Sequence, residues 1–159
     1  MNIKIGFGFD VHPLQEGKVL WLGGVQVPHT KGCVGHSDAD VLIHAICDAL
    51  LGAAGLRDIG NQFPNTDERF KGIDSKILLS QTVLLLSEKG YKVGNVDCTL
   101  CLEQPKINPH IAQMQKTLAP IIQIAEEDIS IKATTNEKLG YIGNEAGANA
   151  YAVALIYKG

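Results

Sequence analysis

The sequence predicts a single mixed α/β (α+β) domain: a four-stranded mixed sheet plus a small hairpin, with helices packed on one face. Three observations carry this. Extended runs rich in β-formers open and close the chain, NIKIGFGFDVH at residues 2–12 and ANAYAVALIYK at 148–158. Between them lie three stretches of helical periodicity, each bounded by a capping residue or a glycine. The 159 residues, 45% of them hydrophobic, suffice for one core and are too few to argue for two, so residues 1–159 read as one domain.

Taken in order, residues 2–12 form a strand whose period of two places Asp10 and His12 on one face. VLWLGG and VQVP, joined at Gly23 and Gly24, form a hairpin. Ser37 offers an N-cap, with Asp38 and Asp40 in the first turn, where the helix dipole favours negative charge. Val41, Leu42, Ala45, Ile46, Ala49 and Leu50 form the core stripe of this helix, which Gly55 stops. Asp40, His44 and Asp48 recur at i, i+4 and i+8 on another face, where Asp48 can orient an imidazole.

After a polar loop, Asp74 caps a second helix through Lys89, ended by Gly90. YKVGNVDCTLCLE is a strand. Asn108-Pro109 opens a third helix to about Ile122. Ile129 to Ala133 is a strand leading into TTNEKLGYIGNEAG, and ANAYAVALIYK reads as a strand buried on both faces.

Composition narrows the function classes. A net charge of −3 leaves no basic footprint for nucleic acid. No apolar stretch reaches the roughly 18–20 residues of a membrane span, and the N-terminal MNIKIGFGFD reads as a strand rather than a signal or transit segment, which favours the cytoplasm. Cys98 and Cys101 have C-x-x-C spacing, but the strand-like run around them and the lack of a second pair favour reduced, buried thiols, as for Cys33 and Cys47.

The chemistry concentrates in Asp10, His12 and His44. One carboxylate and two imidazoles suit a divalent cation such as zinc, and three ligands leave a fourth position open, as in catalytic zinc sites. A strand-end polar pair and a satisfied helix histidine would look the same. The Gly55–Asp67 loop fits either a solvated connector or a lid over a phosphate-rich substrate. Thr134, Thr135 and Glu137 in TTNE could hold phosphate oxygens and a magnesium or manganese ion, or could simply form a structural turn. GFG is too short to define a phosphate loop.

The stretches GFDVH, HSDADVLIHAICDALLGAAGLRDIG, FPNTD, FKGIDS, KGYKVGNVD, PKINPHI and KATTNEKLGYIG occur in that order up to about residue 143. Together they closely resemble the 2-C-methyl-D-erythritol 2,4-cyclodiphosphate synthases of non-mevalonate isoprenoid biosynthesis. The resemblance implies a cyclising, CMP-releasing phosphorus–oxygen lyase acting on 4-diphosphocytidyl-2-C-methyl-D-erythritol 2-phosphate. The substrate's 2-phosphate would attack the β-phosphorus of its diphosphate. By position, Asp10, His12 and His44 become zinc ligands and Glu137 the ligand of a magnesium or manganese ion bridging the diphosphate. His36 and Thr135 position the transferring phosphoryl group. Ser37, Asp58, Ile59 and Gly60 lie near the methylerythritol phosphate, and Phe63, Pro64, Asn65, Thr66 and Asp67 form the mobile substrate loop. Leu102, Glu103, Gln104, Pro105, Lys106, Ile107, Asn108 and Thr134 line the cytidine pocket, with Ala133, Tyr141 and Asn144 as further substrate contacts. The resemblance also implies a homotrimer with each active site between neighbouring subunits, in the form of a stand-alone enzyme.

Two readings of other classes remain. A metal-dependent phosphohydrolase could use the open zinc position to activate water, and a nucleotide-binding scaffold would need no complete ligand set. The sequence also departs from the family pattern twice. Asn65 replaces the commoner aspartate of FPDTD, which leaves an amide to hydrogen-bond a substrate hydroxyl. Asn144 stands where many relatives carry an arginine that binds an isoprenoid diphosphate on the trimer axis. Calorimetry with an isoprenoid diphosphate is therefore expected to show weak or no binding to the purified protein; tight binding would overturn this reading of Asn144.

Overall fold

In the computed structural model, which describes residues 2–159, the two terminal runs pair with each other and form the middle of the sheet. The elements are β1 (Asn2–Glu16), β2 (Leu20–Leu22), β3 (Val25–Val27), β4 (Lys31–Cys33), α1 (Val41–Ala53), α2 (Ile59–Gln62), α3 (Ser75–Glu88), β5 (Lys92–Cys101), α4 (Ile111–Ile122), β6 (Ile129–Thr134), α5 (Gly140–Gly143) and β7 (Gly147–Lys158). The sheet order is β4-β1-β7-β5-β6, with β5 and β6 parallel and every other pair antiparallel. β2 and β3 form the expected hairpin.

Pairing of β1 with β7 runs from Asn2 opposite Lys158 to Pro13 opposite Gly147. Pro13 has no N–H to continue the ladder, and beyond it β1 changes partner to β4, with Leu14 opposite Cys33. β1 is thus longer than its hydrophobic pattern suggests. The short β4, Lys-Gly-Cys, adds a fifth strand that has no periodicity of its own to announce it.

α1 lies directly on this sheet. A Cβ added to Gly6 would sit 1.9 Å from the carbonyl oxygen of Ala49, and one added to Gly8 would sit 1.9 Å from that of Ala45. The two glycines of GFG therefore serve packing: they let helix backbone approach strand backbone more closely than any side chain would allow. Small Ala148, Ala150, Ala152 and Ala154 continue the same floor from β7. With α3 also packed against it, α1 is buried nearly all round rather than along one stripe: Ile43, Cys47 and Leu51 are as inaccessible as the predicted core positions.

The N-terminus of α1 is organised by Asp40 rather than by Ser37. The fully buried Asp40 carboxylate accepts from the N–H groups of Ile43 (3.0 Å), Gly23 (3.0 Å) and Gly24 (2.7 Å). It caps the helix and ties the β2–β3 turn to it. Burial pushes its pKa up, partly offset by these donors. Ser37 instead accepts from Ala39 N–H (3.1 Å) and turns its hydroxyl toward the site described below. The caps of α3 follow expectation: Asp74 accepts from Lys76 N–H at its start, and Gly90 beyond its end has a φ of +77°. Asn108 caps no helix: residues 108–110 make one tight turn, and α4 starts after His110 at Ile111 with no side-chain cap hydrogen bond.

β7 departs from its predicted burial. Its alanines and Ile156 face α1, whereas Tyr151 and Val153 point to the opposite face, which no helix among the described residues covers. There they join Ile3, Ile5, Phe7, Phe9 and Val11 of β1, with Ile5 69% and Phe7 63% exposed. Continuous hydrophobicity arose from small residues on one face and large ones on the other. No helix among the described residues is long and apolar enough to cross a membrane.

The Gly8 contact sets an expected outcome. Gly8→Ala forces the α1 and β1 backbones apart, at a cost of about 2–3 kcal/mol. Thermal unfolding should then occur roughly 5–10 °C lower in a chain of this length. An unchanged midpoint would show that the helix can move away freely.

Candidate active site

Asp10 and His12 point from the same face of β1, two residues apart and opposite Ala150 and Ala148 of β7. α1 brings His44 down to them. Asp10 Oδ2 lies 2.8 Å from His12 Nε2 and 3.0 Å from His44 Nδ1, and those two nitrogens are 3.1 Å apart. Each imidazole is also engaged through its other nitrogen. His12 Nδ1 donates to the carbonyl of Val34 (3.1 Å), and His44 Nε2 meets Ser37 Oγ (3.1 Å) and Ser75 Oγ (2.9 Å). A carboxylate oxygen and two imidazole nitrogens thus converge on one point, a donor set suited to a divalent cation. The expected three-ligand group is assembled.

The same geometry sets the proton affinities. Burial would push the Asp10 carboxyl up, but the His12 and His44 imidazoles beside it together outweigh burial and hold the pKa at about 2. For His12, burial disfavours the imidazolium, yet the hydrogen bond and charge of Asp10, helped by the Val34 carbonyl, raise its pKa above the ordinary 6.5.

The triad opens on a cavity of about 260 Å³ lined by His12, His36, Ser37, His44, Ile59, Gly60, Phe63 and Asn65, together with Phe70 and Leu78. Phe63 and Phe70 meet edge to face with centroids 5.5 Å apart, an apolar wall that the sequence pattern did not reveal. His36 Nε2 donates to the Asp67 carbonyl (3.2 Å), which anchors the ring to the FPNTD loop. Asp58 caps α2 through Asn61 N–H (2.7 Å). The Asp67 carboxylate faces Arg69 (2.6 Å), and Pro64, Thr66 and Asp67 lie in the loop outside the cavity lining. Asp48 does not orient an imidazole: it accepts from Ile59 N–H (2.9 Å) and pins the start of α2, because one further helical turn carries it past the triad.

A second cavity of about 380 Å³ lies between the 102–109 loop and the end of β6. Leu102, Glu103, Pro105, Lys106, Ile107, Asn108, Ala133, Thr134 and Thr135 line it, with Pro109 in addition, and Gln104 sits in the same loop outside the lining. Glu103 accepts from Asn136 N–H (3.2 Å), joining that loop to the TTNE turn. Glu137 and Lys138 continue the turn with left-handed φ values of +51° and +62°, and Glu137 is exposed. Glu137, Tyr141 and Asn144 line neither cavity. Tyr141 OH accepts from Asn149 Nδ2 (3.0 Å), and Asn144 ends α5. The two cavities share no residue, so one chain does not unite the triad with the 102–108 loop or with Glu137.

All four cysteines are free and buried. Burial pushes the thiols of Cys33, Cys47 and Cys98 up to about 12, far from nucleophilic activation.

Fold and site define a class: a small α/β domain with a carboxylate–imidazole group able to hold a metal ion beside one cavity and a second cavity at the end of a parallel strand pair. The chain belongs to the YgbB family, whose model it matches over residues 3–157. The 2-C-methyl-D-erythritol 2,4-cyclodiphosphate synthase of Cytophaga hutchinsonii is 64% identical over 158 residues, covering 99% of both chains. That of Bacteroides thetaiotaomicron is 61% identical over the same length and coverage. Among solved structures, the CDP complex of IspF from Plasmodium falciparum aligns with a TM-score of 0.87 at 36% identity, over 99% of this chain and 97% of that one.

The Asp10–His12 pair predicts a pH window in chelator-treated protein. Asp10, lowered from 3.8, contributes stability above that value and loses it as pH falls toward about 2. His12, raised above 6.5, contributes stability below 6.5 and loses it as pH rises through its folded-state value. The midpoint difference between wild type and Asp10→Asn should therefore be largest between about pH 4 and 6.5 and shrink on either side. A difference flat with pH would contradict the pairing.

Proposed function

We propose that this chain catalyses the reaction its relatives are named for, converting 4-diphosphocytidyl-2-C-methyl-D-erythritol 2-phosphate to 2-C-methyl-D-erythritol 2,4-cyclodiphosphate and CMP. The observation that carries the reading is the Asp10–His12–His44 group opening on a cavity beside His36 and Ser37, where a phosphate can meet it. The substrate's 2-phosphate oxygen forms a bond to the β-phosphorus while the bond from that phosphorus to the CMP oxygen breaks. No side-chain nucleophile is required, in keeping with the buried thiols. The chain acts as a single domain over residues 1–159, as a cyclising phosphorus–oxygen lyase in non-mevalonate isoprenoid biosynthesis, in the cytoplasm.

A zinc ion held by Asp10, His12 and His44, and a magnesium or manganese ion on Glu137, would supply Lewis-acid neutralisation of the diphosphate. The remaining work belongs to the chain. His36, steadied by the Asp67 carbonyl, and Thr135 hold the transferring phosphoryl group. Ser37 and the Asp58–Ile59–Gly60 start of α2 face the methylerythritol phosphate, and Phe63 to Asp67 close over it. Leu102 to Asn108, with Ala133 and Thr134, cradle cytidine, and Tyr141 and Asn144 complete the contacts. Holding two tethered phosphates in line can contribute roughly 7–11 kcal/mol of the barrier reduction.

The reading includes a homotrimer with composite sites. The separation of the two cavities supports it, because a substrate spanning both needs a cytidine pocket from one chain beside a triad from another. The exposed Ile3, Ile5, Phe7, Phe9 and Val11 face supports it as well, since an apolar strand face of this kind gains by burial against a neighbour.

Incubation with the substrate, zinc and magnesium is expected to release CMP and one equivalent of cyclic diphosphate, identified by mass. An open-chain phosphate would indicate the phosphohydrolase instead, and no turnover would favour a binding protein. His44→Ala should reduce kcat by at least about 10³-fold while sedimentation still reports a trimer. Full activity in that variant would refute the metal assignment.

A further inference from the structure

We propose that Asp38 and Ser75 form a relay that sets the tautomer of His44, and so act as positioning residues for metal uptake. The inference rests on the metal-site reading of Asp10, His12 and His44. Ser75, the first residue of α3, is fully buried, and its Oγ lies 2.9 Å from His44 Nε2. Its hydroxyl donates to Asp38 Oδ1. Ser75 N–H donates to Asp38 Oδ2 (2.9 Å), and Asp40 N–H donates to Asp38 Oδ1 (3.1 Å).

The hydrogen count decides the direction of this chain. An ionised carboxylate only accepts, and both Asp38 oxygens already face donors. A hydroxyl has one hydrogen, and that of Ser75 is committed to Asp38. Toward His44, Ser75 therefore presents only a lone pair, so Nε2 must carry the hydrogen. A neutral imidazole has one N–H, which leaves Nδ1 as the lone pair aimed at Asp10 and His12. The alternative tautomer would place a proton on Nδ1, donated to Asp10 Oδ2 at 3.0 Å, where a metal must bind. Ser37 Oγ also meets Nε2, but its hydroxyl hydrogen is not committed to another acceptor, so it accommodates either tautomer. Asp38→Asn would turn an NH₂ toward one of the existing donors, and Ser75→Ala removes the link altogether.

Zinc affinity, measured by competition with a chromophoric chelator, tests the relay in the wild type, Ser75→Ala, Asp38→Asn and the double variant. Each single variant is expected to lose about 10–100-fold in affinity, the range for partners that orient metal ligands. The double variant should lose no more than the worse single one, because the two residues act as one chain. Ring ¹⁵N shifts of chelator-treated protein above the histidine titration range should show His44 protonated at Nε2 in the wild type and shifted toward Nδ1–H in the variants. Circular dichroism reports folding; should Ser75→Ala not fold, Asp38→Asn alone decides. Affinities within twofold of the wild type, losses that multiply in the double variant, or an Nδ1–H wild type would each overturn the relay. A wild type that takes up no zinc would overturn the metal reading itself.

Discussion

The structure depends on the contact between α1 and β1 at Gly6 and Gly8. With carbonyl oxygens of Ala45 and Ala49 standing where a Cβ would be, the helix rests on strand backbone and no side chain can intervene. That distance places His44 within hydrogen-bonding reach of Asp10 and His12. It also explains why β7 carries alanines on the helix side: any larger residue there would tilt α1 and carry His44 away. Metal-ligand geometry tolerates only a few tenths of an ångström, so core packing and site geometry are one constraint here.

Around this contact, aspartates (Asp40 fully buried, Asp38 and Asp48 partly so) organise the polar groups that the close packing would otherwise strand. Asp40 satisfies three backbone N–H groups and joins the hairpin to α1. Asp38 does the same for the start of α3 and for the hydroxyl of Ser75. Asp48 holds α2, whose residues Ile59 and Gly60 line the cavity beside the triad. The acidic spacing of SDADVLIHAICD therefore records a scaffold as much as a site. Each carboxylate fixes the entry of a different element, and the histidine sits where those elements meet.

Much of this is legible in the sequence because it is local. Period two puts Asp10 and His12 on one face, Asp74 and Gly90 bracket α3, and Gly23-Gly24 turns the hairpin. The long motif stretches point to the family that the YgbB match over residues 3–157 establishes. Less legible were features in which one position serves two neighbours. Ser37 has the chemistry of a cap, but Asp40 reaches three donors and displaces it. The hydrophobic run of β7 gives no hint that small and large residues divide between a covered face and an open one.

By itself the sequence determined the elements, their capping chemistry and the residue types able to hold a divalent cation, since each follows from the backbone and side chains of a few neighbouring positions. The tertiary structure decided which of those residues meet. His44 is 32 positions from His12, and Ser75 is 37 from Asp38; no periodicity relates such pairs. Their meeting follows from two glycines that admit a helix and from an α3 that packs against it. The partition of the candidate site into two cavities within one chain is likewise a property of the folded surface, because residues 102–108 and the triad lie on elements that this fold holds apart.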